Sequence, residues 1–98
     1  MSDVTNADMQ VLVVDDEPHL RDSLSQSLML ADYLTRPLAS AEEALEILNT
    51  EAPFEGVVIT DIRMPGMDGL SLLRAARELD DELPVIVMTG HGDVDTAV

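Results

Sequence analysis

The chain has 98 residues and no cysteine, and its 20 acidic residues face five basic ones, all arginine, for a formal net charge of −15. This length corresponds to one small domain. The lack of cysteine excludes disulfides and thiolate metal sites, and no apolar run approaches the ~20 residues that span a bilayer. A surface this acidic repels nucleic acid and anionic membranes, so we expect no direct contact with either.

The N-terminal segment MSDVTNADMQ has neither a basic region nor an apolar run, so it is not typical of a signal peptide. We interpret residues 1–8 as a disordered polar tail and residues 9–98 as one domain. Together with the lack of cysteine, this favours a cytoplasmic location.

The first half of the chain predicts a strand, a helix and a second strand. The apolar run VLVV at 11–14 is typical of a strand that is buried on both faces of a parallel sheet. A helix is expected from Pro18, which suits the first helical position, to about residue 31. Its apolar stripe consists of Leu20, Leu24, Leu28 and Ala31. The more mixed segment 33–39 contains Pro37, which suits a strand at the edge of the sheet.

The second half continues the alternation. Ser40 and Glu43 form a capping box ahead of a second helix, whose apolar positions are Ala41, Ala44, Leu45 and Leu48. The run GVVI at 56–59 predicts the third strand. A third helix has an apolar face made of Leu72, Leu73, Ala76 and Leu79. The run PVIVM at 84–88 predicts the fourth strand, and Asp93 would cap the start of a fourth helix.

Strands that alternate with helices in this way predict an α/β fold with a doubly wound parallel sheet. In such a sheet, ligands bind at the carboxyl ends of the strands, near the point where the strand order reverses. Polar residues follow three predicted strands at that edge, namely Asp15 and Asp16, Thr60 and Asp61, and Thr89.

Taken singly, these side chains have ordinary explanations. One of Asp15 and Asp16 could cap the following helix, and Asp61 could accept hydrogen bonds from turn amides. Taken together, three acids at one edge repel one another unless a cation or hydrogen-bond donors compensate. A set of oxygen ligands without histidine or cysteine favours Mg²⁺.

The segments VLVVDDEP, DIRMPGMDG and VIVMTGHGD, in this order and spacing, resemble the receiver domain of two-component response regulators over about residues 10–98. The segment MTGHGDV is similar to receivers of bacterial transcription regulators, including sigma-54-dependent activators. The resemblance implies a flavodoxin-like sheet with the strand order 2-1-3-4. It also implies that the fifth strand and fifth helix of the family are missing from the 98 residues.

The resemblance further implies a regulatory phosphoacceptor domain, not an enzyme, which promotes its own Mg²⁺-dependent phosphotransfer and dephosphorylation. Asp61 would accept a phosphoryl group from a sensor histidine kinase. Asp16, Asp61 and the backbone carbonyl of Arg63 would bind Mg²⁺ directly, and Asp15 would act through a water molecule. Thr89 would hydrogen-bond the phosphoryl group, while the family's lysine that pairs with this group is absent from a chain without lysine.

Three other functions compete with this interpretation. An aspartate-nucleophile phosphohydrolase needs a second carboxylate two residues after the nucleophile, where this chain has Arg63. A flavodoxin-like nucleotide binder needs a phosphate-binding loop where this chain has the acidic segment DDEP. The strongest alternative is a truncated, non-switching receiver that serves as a dimerisation or interaction module. In the parent protein we expect an output domain, with a homodimer as an open alternative.

The remaining charged residues have simpler interpretations. Arg21, Arg74 and Arg77 are expected on solvated helix faces. His91 is interpreted as a solvated loop residue, and the resemblance implies that His19 belongs to a kinase-docking surface.

Overall fold

The computed structural model describes residues 9–88, which form four strands and three helices. The elements in chain order are β1 (Gln10–Val14), α1 (Pro18–Leu30), β2 (Leu34–Leu38), α2 (Ala41–Thr50), β3 (Gly56–Asp61), α3 (Gly69–Leu79) and β4 (Val85–Met88). The predicted N-terminal tail, Thr89, His91 and the helix expected at Asp93 lie outside the described residues.

The four strands form one parallel sheet in the order β2-β1-β3-β4, which confirms the predicted doubly wound order. β1 lies between β2 and β3, and its residues 11–14 are all buried, as expected for a strand covered on both faces. The chain moves outward from β1 to β2 and then returns across β1 to β3. The strand order therefore reverses at β1, and a binding site is expected beside its carboxyl end.

The helices cover the two faces of the sheet. α1 packs on β1 and β2, whereas α2 and α3 contact each other on the opposite face, as right-handed crossovers in the two directions require. The main core lies beneath α2 and α3, and its fully buried members include Leu12, Val58, Ala41, Ala44, Leu72 and Ala76. None of the described helices is long and apolar enough to span a membrane.

The starts of α1 and α2 agree with the predicted boundaries, but the cap of α1 differs from the prediction. Pro18 occupies the first turn of α1 as expected, but the N-cap is Glu17, whose own carboxylate accepts from the amides of His19 and Leu20. Neither Asp15 nor Asp16 caps this helix, so that single-residue explanation is wrong. Ser40 caps α2 by accepting from the amide of Glu43, which confirms this half of the predicted capping box.

The buried side of α1 also differs from the predicted stripe. Leu24 and Leu28 are partly buried, but Leu20 is 42% exposed. The most buried residue of the helix is Ser25, which is 3% exposed. Its hydroxyl makes no hydrogen bond within residues 9–88.

Candidate functional site

The carboxyl ends of β1 and β3 bring three carboxylates together. Val14 pairs with Thr60 in the sheet, so the residues that follow them, Asp15 and Asp61, lie next to each other at the edge. One carboxylate oxygen from each of Asp15, Asp16 and Asp61 lies within 4.8 Å of the other two. The predicted convergence of these side chains is therefore present in the folded chain.

Asp61 is the last residue of β3 and is 1% exposed. Its position is fixed by the sheet on one side, where it pairs with Met88 of β4 and the next amide, that of Ile62, donates to the Met88 carbonyl. On the other side its backbone lies against the start of α3, so closely that a Cβ on Gly69 would collide with the Asp61 carbonyl oxygen. A carboxylate held in this way on a rigid strand end is well positioned for chemistry.

Asp15 is also buried, at 5% exposure, and burial raises the pKa of its carboxyl above the ordinary 3.8. A hydrogen bond from the Glu17 amide to Oδ1, 2.9 Å long, acts in the opposite direction and lowers this pKa. The negative charges of Asp61, Asp16 and Glu17 raise it further. The ionised form of Asp15 is thus disfavoured, which is the electrostatic condition that a bound cation relieves.

Asp16 differs from its neighbours in being exposed to solvent. The site consequently has two buried acids at its base and one acid at its open rim. All three supply oxygen ligands only, and Mg²⁺ binds such oxygens while keeping several waters. The donor set therefore fits a hydrated divalent cation, bound partly by protein and partly through water.

The loop between β3 and α3 passes beside the site and is held from outside by α2. The Glu42 carboxylate accepts a hydrogen bond of 3.1 Å from the Met67 amide. Gly66 has a φ of 78°, in the left-handed region, and a Cβ at this position would lie 2.8 Å from a Glu42 carboxylate oxygen. Glycine is therefore favoured here by the backbone conformation, whereas the Glu42 carboxylate ends a flexible side chain that can move.

The other predicted residues of this region have mixed outcomes. Arg63 lies in the loop after β3 with an exposed side chain, and the role of its carbonyl stays a prediction. His19 is exposed on α1, as a docking role requires. Met64, the residue after Arg63 in the chain, is buried in the main core.

Sequence reasoning missed two residues near the site, Glu42 and Arg21. Arg21 is not on a solvated face, because it is partly buried and its Nη1 donates a hydrogen bond of 2.9 Å to the Asp15 carbonyl. One available signal was its place in the first turn of a helix, where a cation opposes the helix dipole and thus requires a local partner. Glu42 had no comparable signal, because an acid in the first turn of a helix is ordinary.

Comparison with known proteins identifies the fold and the family. Residues 11–98 match the family described as the response regulator receiver domain. The chain belongs to this family. A crystal structure agrees, since this chain is similar to FixJ-N with a TM-score of 0.74 and 41% identity, covering 96% of this chain and 70% of that one.

Relatives of this receiver domain include transcriptional regulators. It is 51% identical over 88 residues to the C4-dicarboxylate transport transcriptional regulatory protein DctD of Rhizobium meliloti, covering 90% of this chain and 19% of the relative. It is 46% identical over 88 residues to the DNA-binding transcriptional regulator NtrC of Proteus hauseri, covering 90% of this chain and 18% of the relative. The chain thus spans about a fifth of the length of the curated relatives that it matches.

Proposed function

We propose that this receiver domain is a phosphoacceptor, in which the Asp61 carboxylate takes a phosphoryl group from a phosphohistidine of a sensor kinase. The observation that carries the proposal is the convergence of the Asp15, Asp16 and Asp61 carboxylates at the carboxyl edge of the sheet. Asp61 is the member that lies on a rigid strand end, which is the position expected of the reacting group.

Mg²⁺ is the proposed cofactor of this site. Asp16, Asp61 and the backbone carbonyl of Arg63 would bind it directly, and Asp15 would bind through a water molecule. When bound, the cation offsets the negative charge that gathers between the carboxylates and the transferring phosphoryl oxygens. The electrostatic penalty on the ionised Asp15 supports such a ligand, because a divalent cation removes it.

The chemical step is a phosphoryl transfer between two protein side chains. A carboxylate oxygen of Asp61 forms the new O–P bond, the N–P bond of the phosphohistidine breaks, and the imidazole leaves with the bonding electron pair. The product is an acyl phosphate on Asp61, and hydrolysis by water returns the free carboxylate. Thr89 is proposed to donate a hydrogen bond from its hydroxyl to the phosphoryl group and so to signal its presence.

The parent protein is proposed to be a transcription regulator, because the matched relatives carry such names and are about five times longer. In that setting a sensor histidine kinase is the upstream partner, and a separate output domain responds to phosphorylation. The receiver domain itself is proposed to make no direct contact with nucleic acid, since its net charge of −15 repels a polyanion. We also propose that the protein forms a homodimer and is located in the cytoplasm.

Phosphorylation by a small-molecule donor tests this function directly. We expect intact-mass spectrometry after incubation with acetyl phosphate and Mg²⁺ to show the addition of one phosphoryl group. Asp61→Asn should abolish the addition, because an amide oxygen is a poor nucleophile and a poor Mg²⁺ ligand. Asp81→Asn is the matched control, since Asp81 is exposed in the turn before β4, at the opposite edge of the sheet.

Two results would contradict the proposal. One is equal modification of the wild-type and Asp61→Asn chains, and the other is a folded wild-type chain that accepts no phosphoryl group with Mg²⁺ present. The second result would favour the alternative, a non-switching receiver that acts as an interaction module.

A further inference from the structure

The side chain of Arg21 is tied to the backbone of the acidic cluster. Its Nη1 donates to the carbonyl oxygen of Asp15 at 2.9 Å, across six residues of sequence. Arg21 lies in the first turn of α1, and its own amide donates to the Glu17 carbonyl. The guanidinium therefore reaches back over the turn that joins β1 to α1.

Together with two other hydrogen bonds, this contact holds the backbone and the side chain of Asp15 in place. Its amide donates to the Leu38 carbonyl of β2 at 3.1 Å, and its Oδ1 accepts from the Glu17 amide at 2.9 Å. With the carbonyl oxygen bound by Arg21, the amide, the carbonyl and the carboxylate of Asp15 all have partners. A turn with this many restraints has little conformational freedom.

The Asp15 carbonyl belongs to the peptide unit that links Asp15 to Asp16. Because a peptide unit is planar, holding its oxygen also fixes the direction of the Asp16 amide and the position of the Asp16 Cα. The Asp16 side chain is exposed, and no hydrogen bond within residues 9–88 orients it. The orientation of its carboxylate thus depends on the backbone that Arg21 holds.

Arg21 acts on the cluster through a backbone contact, because its guanidinium donates to the Asp15 carbonyl oxygen at 2.9 Å. A cation in the first turn also opposes the helix dipole, and this first turn contains no acidic residue to offset it. The hydrogen bond to the Asp15 carbonyl is the compensating interaction.

We propose that Arg21 is a positioning residue for the metal site, whose hydrogen bond to the Asp15 carbonyl orients the consecutive carboxylates of Asp15 and Asp16 toward Asp61. The inference rests on the proposed function, because it assigns Arg21 a role in binding the Mg²⁺ proposed there. Arg21 itself contacts neither the metal nor the phosphoryl group. Its action is that of an outer residue that holds metal ligands in place.

Arg21→Met tests the proposal because it keeps an unbranched stem and removes the donor. We expect the Mg²⁺ dissociation constant, measured by NMR titration of backbone amides, to rise about tenfold, as is usual when such an outer partner is lost. The control is Arg77→Met, which makes the same change at an exposed position in the last turn of α3.

A second measurement needs no metal. In the metal-free Arg21→Met chain, the Glu17 amide should exchange its hydrogen faster than in wild type, because the turn that supplies its acceptor is released. The amides of β3 should exchange at the wild-type rate. A general loss of stability would instead accelerate exchange in β3 as well.

The outcomes separate the inference from the proposed function. If the wild-type chain binds Mg²⁺ and Arg21→Met binds it equally well, the inference is wrong and the proposed function stands. If the wild-type chain binds no Mg²⁺, the proposed function is wrong, and the positioning role falls with it. Should Arg21→Met not fold, Arg21→Leu replaces it, because leucine also lacks a donor, with the same expected weakening of Mg²⁺ binding and the same contradicting result.

Discussion

Asp15 shows at the scale of one residue that the acidic site is assembled at the expense of stability. Its carboxyl is buried and faces the negative charges of Asp61 and Asp16, and burial is the main cause of its raised pKa. Because the folded-state pKa exceeds the ordinary 3.8, the folded chain binds more protons than the unfolded chain between these two values. The destabilisation is therefore complete above the raised pKa and disappears as the pH falls toward 3.8.

Asp15→Asn should consequently make the metal-free chain more stable at neutral pH. The substitution removes the buried charge, while the amide oxygen can still accept from Glu17. The difference in unfolding free energy from wild type should be largest at pH 7 and should shrink as the pH falls through the raised pKa. Urea denaturation followed by circular dichroism over a pH series measures it.

Asp81→Asn is again the control, because it removes a charge from an exposed turn. If Asp15→Asn and Asp81→Asn change the stability equally at every pH, then burial of Asp15 is not the cause. The same Asp15→Asn chain should bind Mg²⁺ more weakly, so that stability and ligand binding change in opposite directions.

At the scale of elements, the loop between β3 and α3 depends on a side chain from α2. Glu42 accepts from the Met67 amide, and its carboxylate lies close to Gly66, which has no Cβ and a positive φ. Glu42→Ala should therefore speed hydrogen exchange at the Met67 amide while the exchange in β1 and β3 stays as in wild type.

Glu43→Ala is the matched control, because Glu43 also lies in the first turn of α2 and loses the same favourable interaction with the helix dipole. The Glu42 contact is refuted if both variants have the same exchange rate at Met67. A local effect confined to the loop would show that α2 restrains the segment that follows Asp61.

The elements themselves could be predicted from the sequence, because each depends on local pattern. An apolar run such as VLVV indicates a buried strand without any knowledge of the strand that it pairs with. Asp15, Asp16 and Asp61 lie together because the carboxyl ends of parallel strands lie at one edge of the sheet. Contacts that depend on tertiary geometry could not be predicted. The Arg21 bond to a backbone carbonyl and the buried position of Ser25 are two such contacts.

At the scale of the whole molecule, the net charge of −15 opposes compaction. Repulsion among surface acids is screened by salt, with a Debye length of about 10 Å at 0.1 M ionic strength. NaCl should therefore raise the thermal midpoint of this chain through screening alone. This general effect has to be separated from specific binding of a divalent cation at the acidic edge.

Mg²⁺ should stabilise the folded chain well beyond NaCl at the same ionic strength. A ligand at one hundred times its dissociation constant stabilises the folded state by about 2.7 kcal/mol. For a domain of roughly 100 residues, this corresponds to an increase of about 10–20 °C in the thermal midpoint. Differential scanning calorimetry in matched MgCl₂ and NaCl buffers measures the increment, and EDTA should reverse it. In Asp61→Asn the increase in the thermal midpoint should fall to the general effect of a divalent cation, whereas Asp81→Asn should retain the full increase. An equal increase in both variants would show that the cation acts on the acidic surface as a whole and not at the site.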